Sequence, residues 1–444
     1  MVTPTSSQME LDDVFIVGYA RTPIGSIGGQ LASVTATDLA GHAITAALKR
    51  SNVPASAVQE LVMGHVISAG CGQSPPKQAA VAAGLPDSVI CTSVNKVCSS
   101  GMKAVHFAYQ SIVMGYSDVA IAAGTESLSQ APFLMPKNVR NAGFRYGSQT
   151  LTDSIQNDGL TDSFGQALMG DLSEQIAHKM SISRQEQDAH AIETYRRAIA
   201  ARDAGAFDRE IVPVTVPGVR GRPDVVVTSD EELSRAASPE KIRSLRTVFT
   251  PPTGAQPTIT AATSSGMNDG AAALVLASGA WLRATRARLV AEGAPETSLP
   301  AALARVVSCA DAEQDPALFS ISPNLAVRTA VARAKLSLED IGVFEINEAF
   351  SVVALANLRL LGLDDQKVNI YGGAVALGHP LGCSGARIVV TLLNALAHGP
   401  LDAPEGKGAS RYGCAAICNG GGGASACIVE RVNPDGSPVA TDSC

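Results

Sequence analysis

A pattern repeated at long range constrains this chain more than any other feature. An extended run at residues 90–95 leads into Cys98-Ser99-Ser100-Gly101-Met102-Lys103 and an apolar helix with Met102, Val105, Tyr109 and Ile112 on one face. In the second half, an extended run at 368–371 leads through a glycine loop to Cys383-Ser384-Gly385-Ala386-Arg387 and the apolar helix 388–396. Each helix is followed by an apolar strand running into glycine, at Gly124 and at Gly420. Repeats this long are whole α/β domains rather than solenoid units. The length of 444 residues fits two matched domains and one insertion.

Buried strands are expected at 14–18, 61–67 and 118–123, the last stopping at Gly124, with a helix at 38–48. Strands alternating with helices predict an α/β sheet core. From 127 to 260 continuous apolar strands disappear, and Gly, Asn, Asp, Gln and Pro become frequent. This stretch reads as an inserted, loop-rich domain. Within it, Ser183 and Glu186 form a capping box for a helix that runs through Tyr195 and ends before Gly205, and Pro251-Pro252-Thr253-Gly254 breaks the chain. Strands resume at 271–276 and 305–308. Ser337 and Asp340 match a second capping box, and 344–347, 368–371 and 415–418 read as strand ends. Residues 402–411 read as an exposed loop and the last dozen as a loose tail. The expected division is 14–126, 127–260, 261–430 and a tail at 431–444.

Charge and cysteine usage narrow the function classes. Lys plus Arg total 34 and Asp plus Glu 41, a net charge of −7 that speaks against nucleic acid and anionic membrane surfaces as partners. Apolar residues at 46% and charged ones at 17% exclude disorder, and no apolar run approaches a membrane span. Nine cysteines, an odd number without C-x-x-C spacing, predict neither a disulfide framework nor structural zinc, and favour a reducing compartment. The N-terminal residues resemble neither a signal nor a transit peptide, and the chain ends without a peroxisomal tripeptide, so the expected location is the cytoplasm.

Five segments carry candidate chemistry. Cys98, between a strand and a helix, lies where partial positive charge favours thiolate, the nucleophile; the alternative is a small buried cysteine at a turn. His379 lies in Gly372-Gly373-Ala374-Val375-Ala376-Leu377-Gly378-His379-Pro380, a glycine-bracketed place for an imidazole that moves protons, or a turn histidine bonded to its own loop. In Cys418-Asn419-Gly420-Gly421-Gly422-Gly423 a strand end opens into glycines whose N–H groups can bind an oxyanion, or a plain flexible turn. In Asn347-Glu348-Ala349-Phe350-Ser351, Asn347 suits a water or an oxyanion and Glu348 a base, although capping fits Glu348 better. Small residues at 261–270 admit a thin ligand arm, or form only a tight turn.

Together these segments resemble the thiolase family. Residues 93–104 resemble its nucleophile segment, and 347–351, 372–385 and 418–425 its other three signatures, in the family's order. Arg21-Thr22-Pro23-Ile24-Gly25 resembles its first strand exit, and the likeness covers about 14–430. The acetyl-CoA acetyltransferases (biosynthetic acetoacetyl-CoA thiolases), especially those of eukaryotes, are the most similar subgroup. The resemblance implies a thiolase fold: two duplicated βαβαβαββ halves in a five-layered α-β-α-β-α core with an inserted loop domain. It implies reversible condensation of two acetyl-CoA to acetoacetyl-CoA and coenzyme A through an acetyl-cysteine, at the entry to the mevalonate route.

Residue by residue, Cys98 would take the acetyl group and His379 its proton. Cys418 would exchange the α-proton of the second acetyl-CoA, and Asn347 would hold a water that, with His379, binds the thioester oxygen. N–H groups of Cys98 and Gly420 would form the oxyanion hole. For coenzyme A the matching positions are Ser265 at the pantetheine arm, Lys241 with Arg235 near the nucleotide, Tyr195, and Met169 at a short acyl pocket. Arg235 and Lys241 stand one residue farther apart than in the family pattern, and Thr263 and Ser264 replace its usual Asn and Ala. No covalent cofactor is implied. Potassium would be held at Tyr195, Ala261, Ala262, Ser264 and Val375, and the expected assembly is a homotetramer of paired dimers. Competing readings are a β-ketoacyl or hydroxymethylglutaryl-CoA synthase, against which Cys418 speaks, a degradative 3-ketoacyl-CoA thiolase, and a non-catalytic thiolase-like lipid-binding protein.

Overall fold

The computed structural model describes residues 12–439 except 145, 219–220, 252–253 and 400–409. Most of the expected 402–411 loop therefore lies outside the described residues. The first half runs β1 (Val14–Arg21), α1 (Ala36–Ser51), β2 (Glu60–Gly64), α2 (Pro75–Ala82), β3 (Ile90–Val94), α3 (Ser100–Val113), β4 (Val119–Ser127) and, after an insertion, β5 (Asn268–Ser278). The insertion carries α4 (Met169–Lys179) and α5 (Arg184–Asp203), and α6 (Gly279–Ala291) follows β5. The second half runs β6 (Ala304–Glu313), α7 (Ser322–Ala334), β7 (Ile341–Ile346), α8 (Ser351–Leu361), α9 (Leu381–His398), β8 (Tyr412–Asn419) and β9 (Gly423–Arg431).

Pairing makes the duplication explicit. In the first half the order is β3-β2-β4-β5-β1, with β2 parallel to both β3 and β4 and the remaining pairs antiparallel. In the second it is β7-β8-β9-β6, with β7 parallel to β8 and the rest antiparallel. Two register pairs, Phe15↔Arg305 and Ile16↔Ala304, join the halves into one sheet. The short strand Gly25–Ser26 adds to β5.

Alternation along β1 shows the layering. Val14 and Ile16 face a core shared with α3 and α9, while Phe15 and Val17 face a second core under α1. A third core packs α7 on β6–β9. The α3–α9 pair is thus sandwiched between the half-sheets, with helices outside both, which gives the five layers. Helix α9 is long and apolar enough to cross a membrane, but 89% of it is buried inside the protein, and that burial explains its composition. The repeated Cys-Ser-Gly motif has a packing reason. A Cβ at Gly101 would meet the Ala386 nitrogen at 2.6 Å, and one at Gly385 would strike Met102, so the two helices touch backbone to backbone where their N-termini meet.

Four local expectations change. Strand β4 does not stop at Gly124 but continues to Ser127, because Gly124↔Ala272, Thr125↔Ala271 and Glu126↔Gly270 still pair with β5. The Ser337–Asp340 box caps a turn and not a helix, since β7 starts at Ile341. Residues 368–371 are not a strand: only Val368 bridges Phe344. Residues 433–438 are not loose. Asn433 and Ser437 close a turn, the Ala302 N–H donates to the Pro434 carbonyl at 2.9 Å, and Gly436 seats against Phe15.

Candidate active site

Three chain junctions meet at one cavity of about 260 Å³, lined among others by Cys98, His379, Cys418 and Gly420. Cys98 follows β3 through Val97, whose φ of 48° is unfavourable for a β-branched residue. Such local strain persists only where the surroundings over-determine it; here the Ser100 hydroxyl donates to the Val97 carbonyl at 2.6 Å and accepts from the Lys96 N–H at 2.9 Å. The Cys98 sulfur faces two backbone N–H groups, its own and that of Gly420. Burial nevertheless outweighs those donors and pushes the thiol up to about 12. The thiolate expected from the helix terminus is therefore not the resting form, and the cysteine needs a base.

His379 is placed to be that base. Gly378, at φ 103°, lets the chain pass so close to Asn268 that a Cβ would meet its side chain at 2.6 Å. The Asn268 side-chain oxygen accepts the His379 N–H at 2.9 Å. Nδ1 lies 2.6 Å from the Ser384 hydroxyl, which donates to the Pro380 carbonyl at 2.9 Å. With its single proton so used, Ser384 accepts from Nδ1–H, which leaves Nε2 as the lone-pair nitrogen. Nε2 is buried with no partner among the described residues. Burial, aided by the Arg387 charge, lowers the imidazole to about 3, so it rests neutral with its Nε2 lone pair unused.

Cys418, next to last in β8, is fully buried. Burial, and then the charge of Cys98, push its thiol up, and both cysteines line the same cavity. Asn347 is anchored by its N–H to the Ala416 carbonyl at 2.9 Å, and both polar atoms of its buried side chain lack partners among the described residues. Buried amides are normally bonded, so Asn347 and His379 Nε2 together offer open hydrogen-bonding capacity. Ser265 donates its hydroxyl and its N–H to the Ala349 carbonyl, at 2.9 and 3.0 Å, tying the 261–270 turn to the 347–351 segment. Met169, Phe319 and Phe350 add apolar wall.

The chain matches the thiolase N-terminal domain over residues 14–280 and the thiolase C-terminal domain over 300–431. The chain belongs to the thiolase family. Acetyl-CoA acetyltransferase 2 of Arabidopsis thaliana is 48% identical over 96% of this chain and 99% of that protein. Acetyl-CoA acetyltransferase IA of Candida tropicalis is 45% identical over 96% and 99%. A thiolase from Ascaris suum, solved in complex with coenzyme A, superposes with a TM-score of 0.82 at 43% identity, covering 95% of this chain and all of the other. Human mitochondrial 3-ketoacyl-CoA thiolase gives 0.84 at 34% identity over 95% and 99%. The protein is thus an acyltransferase of the thiolase fold.

Not every expected residue lines the thiolase cavity. Cys98, His379, Cys418, Gly420, Met169, Ser264 and Ser265 do, whereas Asn347, Tyr195, Arg235, Lys241, Ala261, Ala262 and Val375 do not. Arg235 and Lys241 are exposed, and Arg235 pairs with Glu231. Glu348 is neither a base at the cavity nor a cap. Burial opposes its charge, but His190 and Asn369 hold its carboxyl below the usual range, and it also accepts from Thr194 and the Val375 N–H. It therefore braces the loop that leads to His379. Residues missed by sequence reading are the supports. Ser384 sits in the repeated Cys-Ser-Gly motif, and Asn268 beside the glycines of 266–270, yet neither signals its partner without the fold.

Proposed function

We propose that this thiolase condenses two acetyl-CoA to acetoacetyl-CoA and coenzyme A, reversibly, through an acetyl-Cys98 intermediate. The observation that carries the reading is the meeting of a neutral His379 Nε2, the half-buried Cys98 thiol, the buried Cys418 thiol and the Gly420 N–H at one small apolar cavity. His379 takes the Cys98 proton as sulfur attacks the thioester. The N–H groups of Cys98 and Gly420 receive the oxyanion. His379 passes the Cys98 proton to the departing coenzyme A thiolate and then takes one from Cys418, whose thiolate removes the α-proton of the second acetyl group while protonated His379 and an Asn347-held water take the enolate oxygen. The enolate carbon then attacks acetyl-Cys98, forming the carbon–carbon bond and releasing the Cys98 thiolate, which recovers its proton from His379. A thioester carbon acid is too weak for a solvated base, so this step demands preorganised donors.

Ser265 supports the pantetheine arm, and Arg235 and Lys241 the nucleotide end at the solvent mouth. Met169, Phe319 and Phe350 favour a short acyl group over the longer chains of degradative thiolases. Potassium fits the carbonyls of Ala261, Ala262, Ser264 and Val375 beside Tyr195, because the Ala261–Thr263 turn and the Ala374–Leu377 helix both pack against α5, which carries Tyr195. A homotetramer is supported by two separate exposed apolar patches, Ile90, Phe107, Met114 and Tyr116 along edge strand β3 and α3, and Phe133, Met135, Phe144 and Leu151 in the insertion. We further propose a cytoplasmic supply to the mevalonate route. Thiolysis of acetoacetyl-CoA against longer 3-ketoacyl-CoA tests the activity: acetoacetyl-CoA is the preferred substrate, and no cleavage of any chain length would refute the reading.

A further inference from the structure

We propose that Asn419, between Cys418 and Gly420, is a positioning residue that latches the two halves so that the oxyanion hole closes on Cys98. The proposal rests on the acyl-transfer reading above. That hole takes one N–H from each half of the protein, Cys98 after β3 and Gly420 after β8. No single helix or strand sets their separation, yet about 1 Å of misplacement at a reacting centre costs on the order of 10²-fold in rate.

Asn419 spans the gap. Its side chain is buried. Its side-chain oxygen accepts from the Ser99 hydroxyl at 2.8 Å and from Lys96 Nζ at 3.0 Å, one residue after and two before the nucleophile. Its amide nitrogen donates to the Gly420 carbonyl at 2.8 Å, holding the peptide that follows the strand. The latch is itself held from both sides. Ser99 also contacts the Ile417 carbonyl at 3.3 Å, and Lys96 pairs with Glu313 at 3.0 Å. A Cβ at Gly423 would meet the Asn419 amide at 2.5 Å, so the glycine run leaves the room this side chain occupies. Asn419 touches no reacting atom; it acts through Cys98 and Gly420.

The test is single-turnover acetylation of Cys98 by acetyl-CoA beside steady-state acetoacetyl-CoA thiolysis, in the full-length protein. N419A should lower kcat and the acetylation rate together by roughly 10²-fold, the scale of a lost oxyanion donor, with KM within about twofold. N419D keeps both acceptor bonds to Ser99 and Lys96 and should recover at least about tenfold of that loss. S99A should be impaired less than N419A, and the S99A/N419A double variant no worse than N419A, because both break one latch. Wild-type acetylation in N419A would overturn the proposal. So would full additivity of S99A and N419A, or equal impairment of N419A and N419D with a raised KM. Should N419A fail to fold, N419D against S99A decides: normal kcat in S99A overturns the latch. Absence of acetylation in the wild type would instead break the functional reading on which the latch rests.

Discussion

At the outer edge of the first half-sheet, β3 pairs with β2 in unbroken parallel register from Glu60↔Ile90 to Gly64↔Val94. At the matching place in the second, only Val368 bridges Phe344. The missing strand is replaced by one side chain. Asn369, at φ 48°, donates its N–H to the Phe344 carbonyl, accepts the Ile346 N–H at 2.9 Å and donates to the Ile346 carbonyl at 2.9 Å. The ladder is satisfied without a strand, and the chain is free to turn inward. Gly372, at φ 81°, passes so close to α5 that a Cβ would meet the Thr194 carbonyl at 2.6 Å, and the loop then delivers His379. The same architecture thus holds two kinds of group. An intact strand–helix junction fixes the cysteine that bears the acyl chain, and a strand exchanged for a loop presents the imidazole that moves the proton.

The largest effects should separate these roles. Cys98→Ala should abolish acetylation outright. Cys418→Ala should still form acetyl-Cys98 but lose condensation, and hydrogen–deuterium exchange at the acetyl methyl, by about 10²–10⁴-fold. Single-turnover acetylation beside methyl exchange distinguishes them; exchange surviving without acetylation in Cys418→Ala reverses the assignment. His379→Gln should lower acetylation by a similar 10²–10⁴-fold. Because burial holds the His379 imidazole at about 3, it is the base at every ordinary pH. The wild-type kcat/KM for acetylation should accordingly show no acid limb near pH 6.5, and such a limb, lost in His379→Gln, would contradict the buried neutral imidazole.

A smaller effect tests the side chain that replaces the strand. Asn369→Ala leaves the buried N–H and carbonyl of Ile346 without their partners, at about 1–3 kcal/mol for each unsatisfied group. Urea unfolding should show a loss of roughly 3 kcal/mol. Thr92→Ala on the exposed strand β3 should stay within about 0.5 kcal/mol. Equal losses at the two positions would mean that Asn369 does not stand in for a strand.

Much of this was legible in the sequence for a physical reason. The repeat, the Cys-Ser-Gly motifs and the glycine-bracketed His379 are local patterns, and each is imposed by a backbone contact that tolerates few residues. The degenerate edge was not legible. Residues 368–371 have strand composition, and only tertiary context makes Asn369 fold back on Ile346. Glu348 was misread because its four partners come from α5 and from beyond α8, far away in sequence. The charge state of Cys98 was misread too, since the helix terminus is visible in sequence and the desolvation that outweighs it is not.

The smallest prediction concerns the residue next to the end of β4. Where β8 ends in the neutral Asn419, β4 carries a buried carboxyl one residue before its end. Glu126 accepts N–H bonds from Gly382 at 2.8 Å, Ile67 at 3.1 Å and Val66 at 3.2 Å, joining the start of α9 to the turn after β2. Burial raises its carboxyl to about 7 against the pull of those donors. Between pH 4.5 and about 7 the folded protein therefore holds a proton that the unfolded chain has released, and stability falls as pH rises through that window. From pH 6 to pH 7 the group should remove about 1 kcal/mol. Neighbouring His65, lowered by burial to about 4, works with the opposite sign. It is present in both wild type and Glu126→Gln, so it cancels to first order when the two are compared. Glu126→Gln should be less stable throughout, having exchanged an acceptor for a donor, but the gap to wild type should narrow by about 1 kcal/mol between pH 6 and pH 7. Urea midpoints measured across that range decide it. A gap that does not change with pH would show that Glu126 is ionised throughout, and that both half-sheets end in groups of fixed charge.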